Sequence, residues 1–167
     1  MVSIITKLNK PDLEIVINKI QKACITNPNL SPRTKNELMT ACKDKRLIIA
    51  INNSSPVGWL LRLPYANGSQ ELAAAYVVDS HRSKGIFTKL VNEATKQVKV
   101  SLLVTFNKKL ANYLINKQDF KRSSLWEAVK ISKGQFLLDR LNINRLIAIA
   151  KHFSKSNPTY LIFNRND

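Results

Sequence analysis

Cysteine is scarce: Cys24 and Cys42 are the only two in 167 residues, and both fall at apolar positions of expected helices. Two such residues make no disulfide framework and fit core thiols better than a redox pair. No run approaches the roughly twenty apolar residues of a membrane span. Met1–Lys10 lacks an uninterrupted apolar signal region, so a soluble cytoplasmic protein is expected. There is no Walker loop, no nucleophile elbow and no Cys-x-x-Cys pair. His81 and His152 stand far apart without neighbouring carboxylate or cysteine ligands, so no metal site is expected. Internal repeats, low-complexity tracts and Pro/Gly linkers are also lacking. At 44% hydrophobic, a chain of this length is expected to form one domain over residues 1–167.

Acidic residues are the other shortage, with 11 Asp and Glu against 27 Lys and Arg, for a net charge of +16. Such an excess attracts polyanions at long range, which fits RNA, DNA, ribosomes, anionic membranes or an acidic substrate. The basic residues are scattered through a Lys-, Asn- and Ile-rich sequence, so a purely compositional origin stands beside the electrostatic one.

What is present reads as alternating helices and strands. Ser3–Leu8 fits a first strand, and Leu13, Val16, Ile17, Ile20, Ala23 and Cys24 recur at helical spacing. Ser31-Pro32 looks like a cap and first turn, predicting a second helix from about Pro32 to Cys42. Arg46–Ile51 and Val57–Leu63 flank turn-forming residues and predict a hairpin, and Asn67-Gly68 predicts a further turn before a strand over Gln70–Val78. The three strands are expected to form an antiparallel meander. Ile86, Leu90, Ala94 and Val98 share one helical face, Ser101–Phe106 reads as a strand, and Asn107–Asn116 as a helix. Gly134–Phe153 is a long amphipathic stretch before the strand-like Tyr160–Phe163. It fits an acceptor-site wall, a dimer surface or ordinary core packing.

The most informative stretch is Val77-Val78-Asp79-Ser80-His81-Arg82-Ser83-Lys84-Gly85-Ile86-Phe87-Thr88-Lys89-Leu90. An apolar strand breaks into a polar turn, and a glycine with basic residues opens an amphipathic helix. The first turn of a helix leaves backbone N–H groups outside the helical ladder and carries the positive end of the macrodipole, so an anion is favoured there. Gly85 allows close backbone approach, and Arg82 and Lys84 add charge beside it.

At these residues the chain resembles the pyrophosphate loop of the GNAT superfamily of N-acetyltransferases, whose signature is Gln/Arg-x-x-Gly-x-Gly/Ala between the fourth strand and the following helix. Here it reads Arg82-Ser83-Lys84-Gly85-Ile86-Phe87, with Phe87 in place of the usual small residue. The order of expected elements extends the resemblance over Ser3 to Arg122, and residues 122–167 are atypical for it. It implies an α/β (α+β) acyl-CoA N-acyltransferase fold, a mixed and mostly antiparallel sheet flanked by helices, with an extra C-terminal helix before the last strand. It also implies acetyl-CoA as cosubstrate. Main-chain amides of Arg82–Thr88 would hold its pyrophosphate, and the pantetheine arm would pair beside Val77 and Val78, where the fourth and fifth strands of the family part. Asn107 and Asn112 are candidate contacts for that arm, and Asn107 is by its own position a helix cap. His81 is expected near the adenine nucleotide.

The implied reaction is direct acetyl transfer to a primary amine of a small molecule, peptide or protein, with a base to remove a proton. Glu71 lies eleven residues before Arg82, at the offset of the catalytic glutamate in the histone-acetylating branch. It reads equally as an exposed carboxylate at a strand start. If the strand alternates as Glu71, Ala73, Ala75, Val77, the carboxylate shares a face with small residues. The family's general-acid tyrosine falls at Ile115, and its Gly-Phe pair at Asp119-Phe120, so both positions depart. Tyr113 is two residues from the tyrosine's place, roughly 200° around a helix. Tyr76 and water are alternatives. The departures and the charge keep a second expectation open, a non-catalytic acyl-CoA-binding or nucleic-acid-binding module with the same fold and a weak association with RNA. A homodimer is common in the family.

Overall fold

Apolar β-branched runs separated by short turns build the strands, and helical repeats of Ile, Leu and Ala cover them. A computed structural model describes residues 1–27, 30, 32–138 and 157–165. Its seven strands follow the order β1-β2-β3-β4-β5-β7-β6, with six α-helices among the described residues. This is the expected mixed α/β class. By contacts the chain divides into two compact units, Met1–Arg62 with Ala73–Ala94, and Leu63–Leu72 with the chain from Thr95 onward.

In the first unit, β1 (Ser3–Ile5) pairs antiparallel with β2 (Leu47–Asn52), from Ser3↔Ile51 to Ile5↔Ile49. Helices α1 (Lys10–Thr26) and α2 (Lys35–Lys43) lie between them in the chain. β2 pairs antiparallel with β3 (Ser55–Pro64), and the hairpin turns on Asn53 and Ser54, both left-handed at φ 46° and 58°. Two successive positive φ values are what a two-residue turn needs to match strand twist. Leu47, Ile48, Ile49 and Ala50 are all buried, the unbroken apolar run of a strand covered on both faces. Val16, Ile17, Ile20 and Cys24 of α1 and Leu38, Ala41 and Cys42 of α2 complete this side of the core. After the C-terminal half of β4 (Gln70–Val77) and a 3-10 turn at Asp79–His81 comes α3 (Ile86–Thr95), with Ile86, Leu90 and Ala94 buried. Val98 lies beyond the helix end, where its N–H donates to Thr95 O. α3 packs against β3 at Gly58: a Cβ there would stand 3.1 Å from Tyr76 O, 3.2 Å from Ile86 Cγ2 and 3.3 Å from Leu90 Cδ1.

In the second unit, the start of β4 pairs in parallel with β5 (Val100–Thr105), from Gln70↔Ser101 to Leu72↔Leu103. β5 pairs antiparallel with β7 (Thr159–Asn164), and β7 with the short β6 (Lys121–Ser123), so the last strand inserts between two earlier ones. Helices α4 (Lys108–Lys117), α5 (Leu125–Ile131) and α6 (Gln135–Leu138) belong to the same unit. Tyr65, Leu102, Ala128, Phe136 and Ile162 form one buried cluster, with Val100, Val104, Val129, Ile131 and Tyr160 packed on it.

Two expectations need correction. α2 starts at Lys35 rather than Pro32, because Thr34 caps it in a reciprocal box with Glu37: Glu37 N–H donates to Thr34 Oγ1, and Thr34 N–H to Glu37 Oε2. Ser31 lies outside the described residues, as does the stretch from 139 to 153 of the expected long C-terminal helix. The described part of that stretch, Gly134–Leu138, contains α6. Strict alternation along β4 also fails, because Ala74 sits at φ 48° within the strand. A left-handed residue interrupts the two-residue period, so parity does not carry Glu71 and Val77 to one face.

Candidate active site

Val77 ends β4 and the chain turns at once. Val78 N–H donates to Val57 O at 2.9 Å, His81 N–H to Val78 O at 2.8 Å and Arg82 N–H to Asp79 O at 3.2 Å. The loop then bends through Ser83 at φ 60° and Gly85 at φ 71° before Lys89 N–H, donating to Gly85 O at 3.1 Å, starts the ladder of α3. A Cβ placed on Gly85 would meet nothing within 4 Å. Glycine is therefore favoured here by the left-handed backbone, and the space in front of it is open. Arg82, Ser83, Lys84 and Gly85 are exposed, Ile86 is buried, Phe87 and Thr88 are half-buried, and the first turn of α3 carries no acidic residue. A helix start of this kind, with alternating left-handed residues before it, is a backbone shape suited to anions.

The two basic side chains of the loop turn back on the protein. Arg82 Nε–H donates to Val77 O at 3.1 Å, its Nη2 pairs with Asp79 Oδ1 at 2.6 Å, and its guanidinium lies 5.7 Å from the centroid of the Tyr76 ring. Tyr76 in turn stacks at 4.9 Å on Trp59. Lys84 Nζ donates to Ser80 O at 3.0 Å. His81 is held between Ser80 Oγ at 2.9 Å and Asn52 Nδ2 at 3.3 Å. Of the backbone expected to pair with a cofactor arm, Val78 N–H and Val77 O are already engaged.

In the second unit, Glu71 is only 6% exposed and accepts a hydrogen bond from Tyr65 Oη at 3.0 Å. That burial excludes the exposed-carboxylate reading. Beside it in the chain, Gln70 Nε2 donates to Ser101 Oγ at 2.9 Å, a buried polar pair between β4 and β5. Asn107 caps α4, its Oδ1 accepting from Leu110 N–H at 3.1 Å, and its own N–H donates to Thr105 Oγ1 at 3.0 Å. Tyr113 and Ile115 are both half-buried on α4. Burial pushes the Cys24 thiol up to about 11 against the opposing pull of the Arg33 charge, and raises Cys42 as well. Both are protonated at neutral pH and make poor nucleophiles. Among the described residues no group of three or more His, Cys, Asp or Glu is arranged to hold a metal ion, and no helix is long and apolar enough to cross a membrane.

Sequence reasoning overlooked Tyr65 and Gly58. The Asn67-Gly68 turn carried a signal for the first: Tyr65 N–H donates to Ser69 O at 2.8 Å, as a tight turn requires, which brings Tyr65 back to the strand that starts with Gln70 and Glu71. Nothing in the sequence marked Gly58, whose role depends on a helix arriving from elsewhere in the chain.

No family model and no curated protein matches the sequence. Solved structures do match. N-acetylglutamate synthase from Neisseria gonorrhoeae, complexed with coenzyme A and N-acetyl-glutamate, is 12% identical with a TM-score of 0.61, over 100% of this chain and 36% of that one. The chain thus spans about a third of that enzyme's length. Rv2747 from Mycobacterium tuberculosis, in complex with CoA, is 11% identical with a TM-score of 0.70, over 98% of this chain and 99% of that one. A GNAT-family acetyltransferase from Staphylococcus aureus Mu50 is 15% identical with a TM-score of 0.61, again over 98% and 99%. At such identities the likeness is one of fold, and the fold is that of the GNAT acetyltransferases.

Proposed function

We propose that the chain, built on the fold of the GNAT acetyltransferases, transfers an acetyl group from acetyl-CoA to a primary amine. The observation that carries this reading is the loop between β4 and α3, left-handed at Ser83 and Gly85, open in front of Gly85, and leading into a helix start free of acids. A pyrophosphate placed there meets the positive end of α3 and the backbone of residues 83 to 88. Arg82 braces the loop.

Glu71 serves as the base in this reading, and its burial and anchoring support the role. Its carboxylate takes a proton from the acceptor ammonium, directly or through water. The freed nitrogen lone pair adds to the thioester carbonyl carbon, the C–S bond breaks with its electron pair on sulfur, the thiolate takes a proton from Tyr113 or from water, and the second proton shed by the nitrogen as the neutral amide forms restores that donor. Release of free thiol from acetyl-CoA across a panel of primary amines, polyamines, peptides and charged tRNA tests the proposal. Turnover is expected with at least one acceptor, and Glu71→Gln should lower its kcat roughly a hundredfold with little change in CoA affinity. Ile115, where the family places a tyrosine, favours one other reading, an acyl-CoA-binding module without turnover. Tight CoA binding with no turnover on the whole panel decides for it.

A further inference from the structure

We propose that Tyr65 is a positioning residue for Glu71, held for that purpose by a loop clamped onto α5 and α6; this rests on the reading of Glu71 as the base. The two side chains meet in the interior, 4% and 6% exposed, with Tyr65 Oη donating to Glu71 Oε2 at 3.0 Å. A carboxylate taken out of water needs hydrogen bonds to compensate its desolvation, and a phenol supplies one along a fixed direction. The direction is fixed because the Tyr65 ring is packed among Leu102, Ala128, Phe136 and Ile162, at an interior density that leaves little room to rotate.

The backbone of the same loop is tied down at each step. Tyr65 N–H donates to Ser69 O at 2.8 Å and Gly68 N–H to Tyr65 O at 3.0 Å. Ala66 N–H donates to Gln135 Oε1 at 3.1 Å, and Asn67 Nδ2 donates to Ile131 O. Asn67 Oδ1 accepts from Ser69 N–H at 3.1 Å and Ser69 Oγ at 2.7 Å. The segment after β6 is thereby connected to the site, since α5 and α6 hold the β3–β4 loop, the loop holds Tyr65, and Tyr65 holds the plane of the Glu71 carboxylate. A base whose lone pair is aimed loses less orientational freedom when it takes the proton, and misplacement by about an ångström can cost up to a hundredfold in rate.

Tyr65→Phe keeps the ring and removes the donor. With the best acceptor of the amine panel it should lower kcat about tenfold or more and leave CoA affinity unchanged. In a Glu71→Gln background the same change should cost nothing further, because the group it positions is gone. Gln135→Ala, which loosens the clamp without touching the packed ring, should give a smaller loss with the same dependence on Glu71, and it stands as the test should Tyr65→Phe fold poorly. Wild-type kcat in Tyr65→Phe, or an equal loss in both backgrounds, overturns the positioning role alone. Wild-type turnover in Glu71→Gln, or none with any amine, overturns the reading beneath it.

Discussion

Arg82 donates its Nε–H to the carbonyl of Val77 at 3.1 Å, so the first residue of the loop motif is fastened to the strand that leads into it. The same guanidinium faces Tyr76 and pairs with Asp79, giving three contacts that depend on a flat, forked cation. Lysine at 82 keeps the charge and loses that geometry. If Arg82 acts as a brace, Arg82→Lys and Arg82→Ala should weaken CoA binding alike, by about two- to tenfold, the worth of one hydrogen bond. Calorimetric titration checks this. Near-normal affinity in Arg82→Lys beside a large loss in Arg82→Ala would make the residue a direct electrostatic ligand instead.

Gly58 decides how closely α3 approaches the sheet. A methyl group there would press on a backbone carbonyl, Tyr76 O, and on Ile86 and Leu90, all between 3.1 and 3.3 Å. The carbonyl belongs to the strand and cannot yield as a side-chain tip can. Gly58→Ala should therefore destabilise the fold by about 1–3 kcal/mol, as overpacking of a core does, lowering the urea midpoint with an unchanged slope. A midpoint at the wild-type value would show that α3 shifts without cost.

Much of this architecture was legible where one physical signal dominated. Ile86, Leu90 and Ala94 lie on one helical face and are all buried, and Asn107 caps its helix as its position suggested. Where two signals competed the reading slipped: Ser31-Pro32 looks like a helix start, yet the Thr34–Glu37 box sets the boundary. Ala74 has no marker, since a left-handed alanine inside a strand is imposed by its surroundings rather than by its own preference. β6 is three polar residues with no period to read, and its place beside β7 is a matter of long-range pairing. In the candidate site, the glycine and basic residues were visible, but not where Arg82 and Lys84 point, and Tyr65 became visible only through the turn that returns it to Glu71.

Cys24 gives the fold a pH dependence with a definite sign. Burial raises its pKa from 9.0 to about 11, so the folded chain holds this proton more tightly than the unfolded one. Its contribution to stability is full below the unfolded value and is lost as the pH rises through about 11. Between pH 9 and 11 the urea midpoint of the natural chain should fall more steeply than that of Cys24→Ala, which has no proton to lose. Parallel slopes would mean that the thiolate forms inside the fold at no cost.

Gly85 carries the most direct test of the anion loop, because backbone and charge separate there. Its φ of 71° strains most side chains, but Asn and Asp visit this region more readily than others, and nothing within 4 Å opposes a Cβ. Gly85→Asn and Gly85→Asp should both fold, with thermal midpoints close to each other. They differ by one negative charge in the open space where a pyrophosphate would sit. Two unit charges about 4 Å apart repel by roughly 4 kcal/mol at an effective dielectric near 20, which is on the order of a thousandfold in affinity. Gly85→Asn should then bind CoA moderately less well than the natural chain, while Gly85→Asp should show no binding by calorimetry at millimolar CoA. Equal affinities for the two variants would mean that no phosphate comes near this residue, since a screened or distant charge is the one way to make the carboxylate harmless.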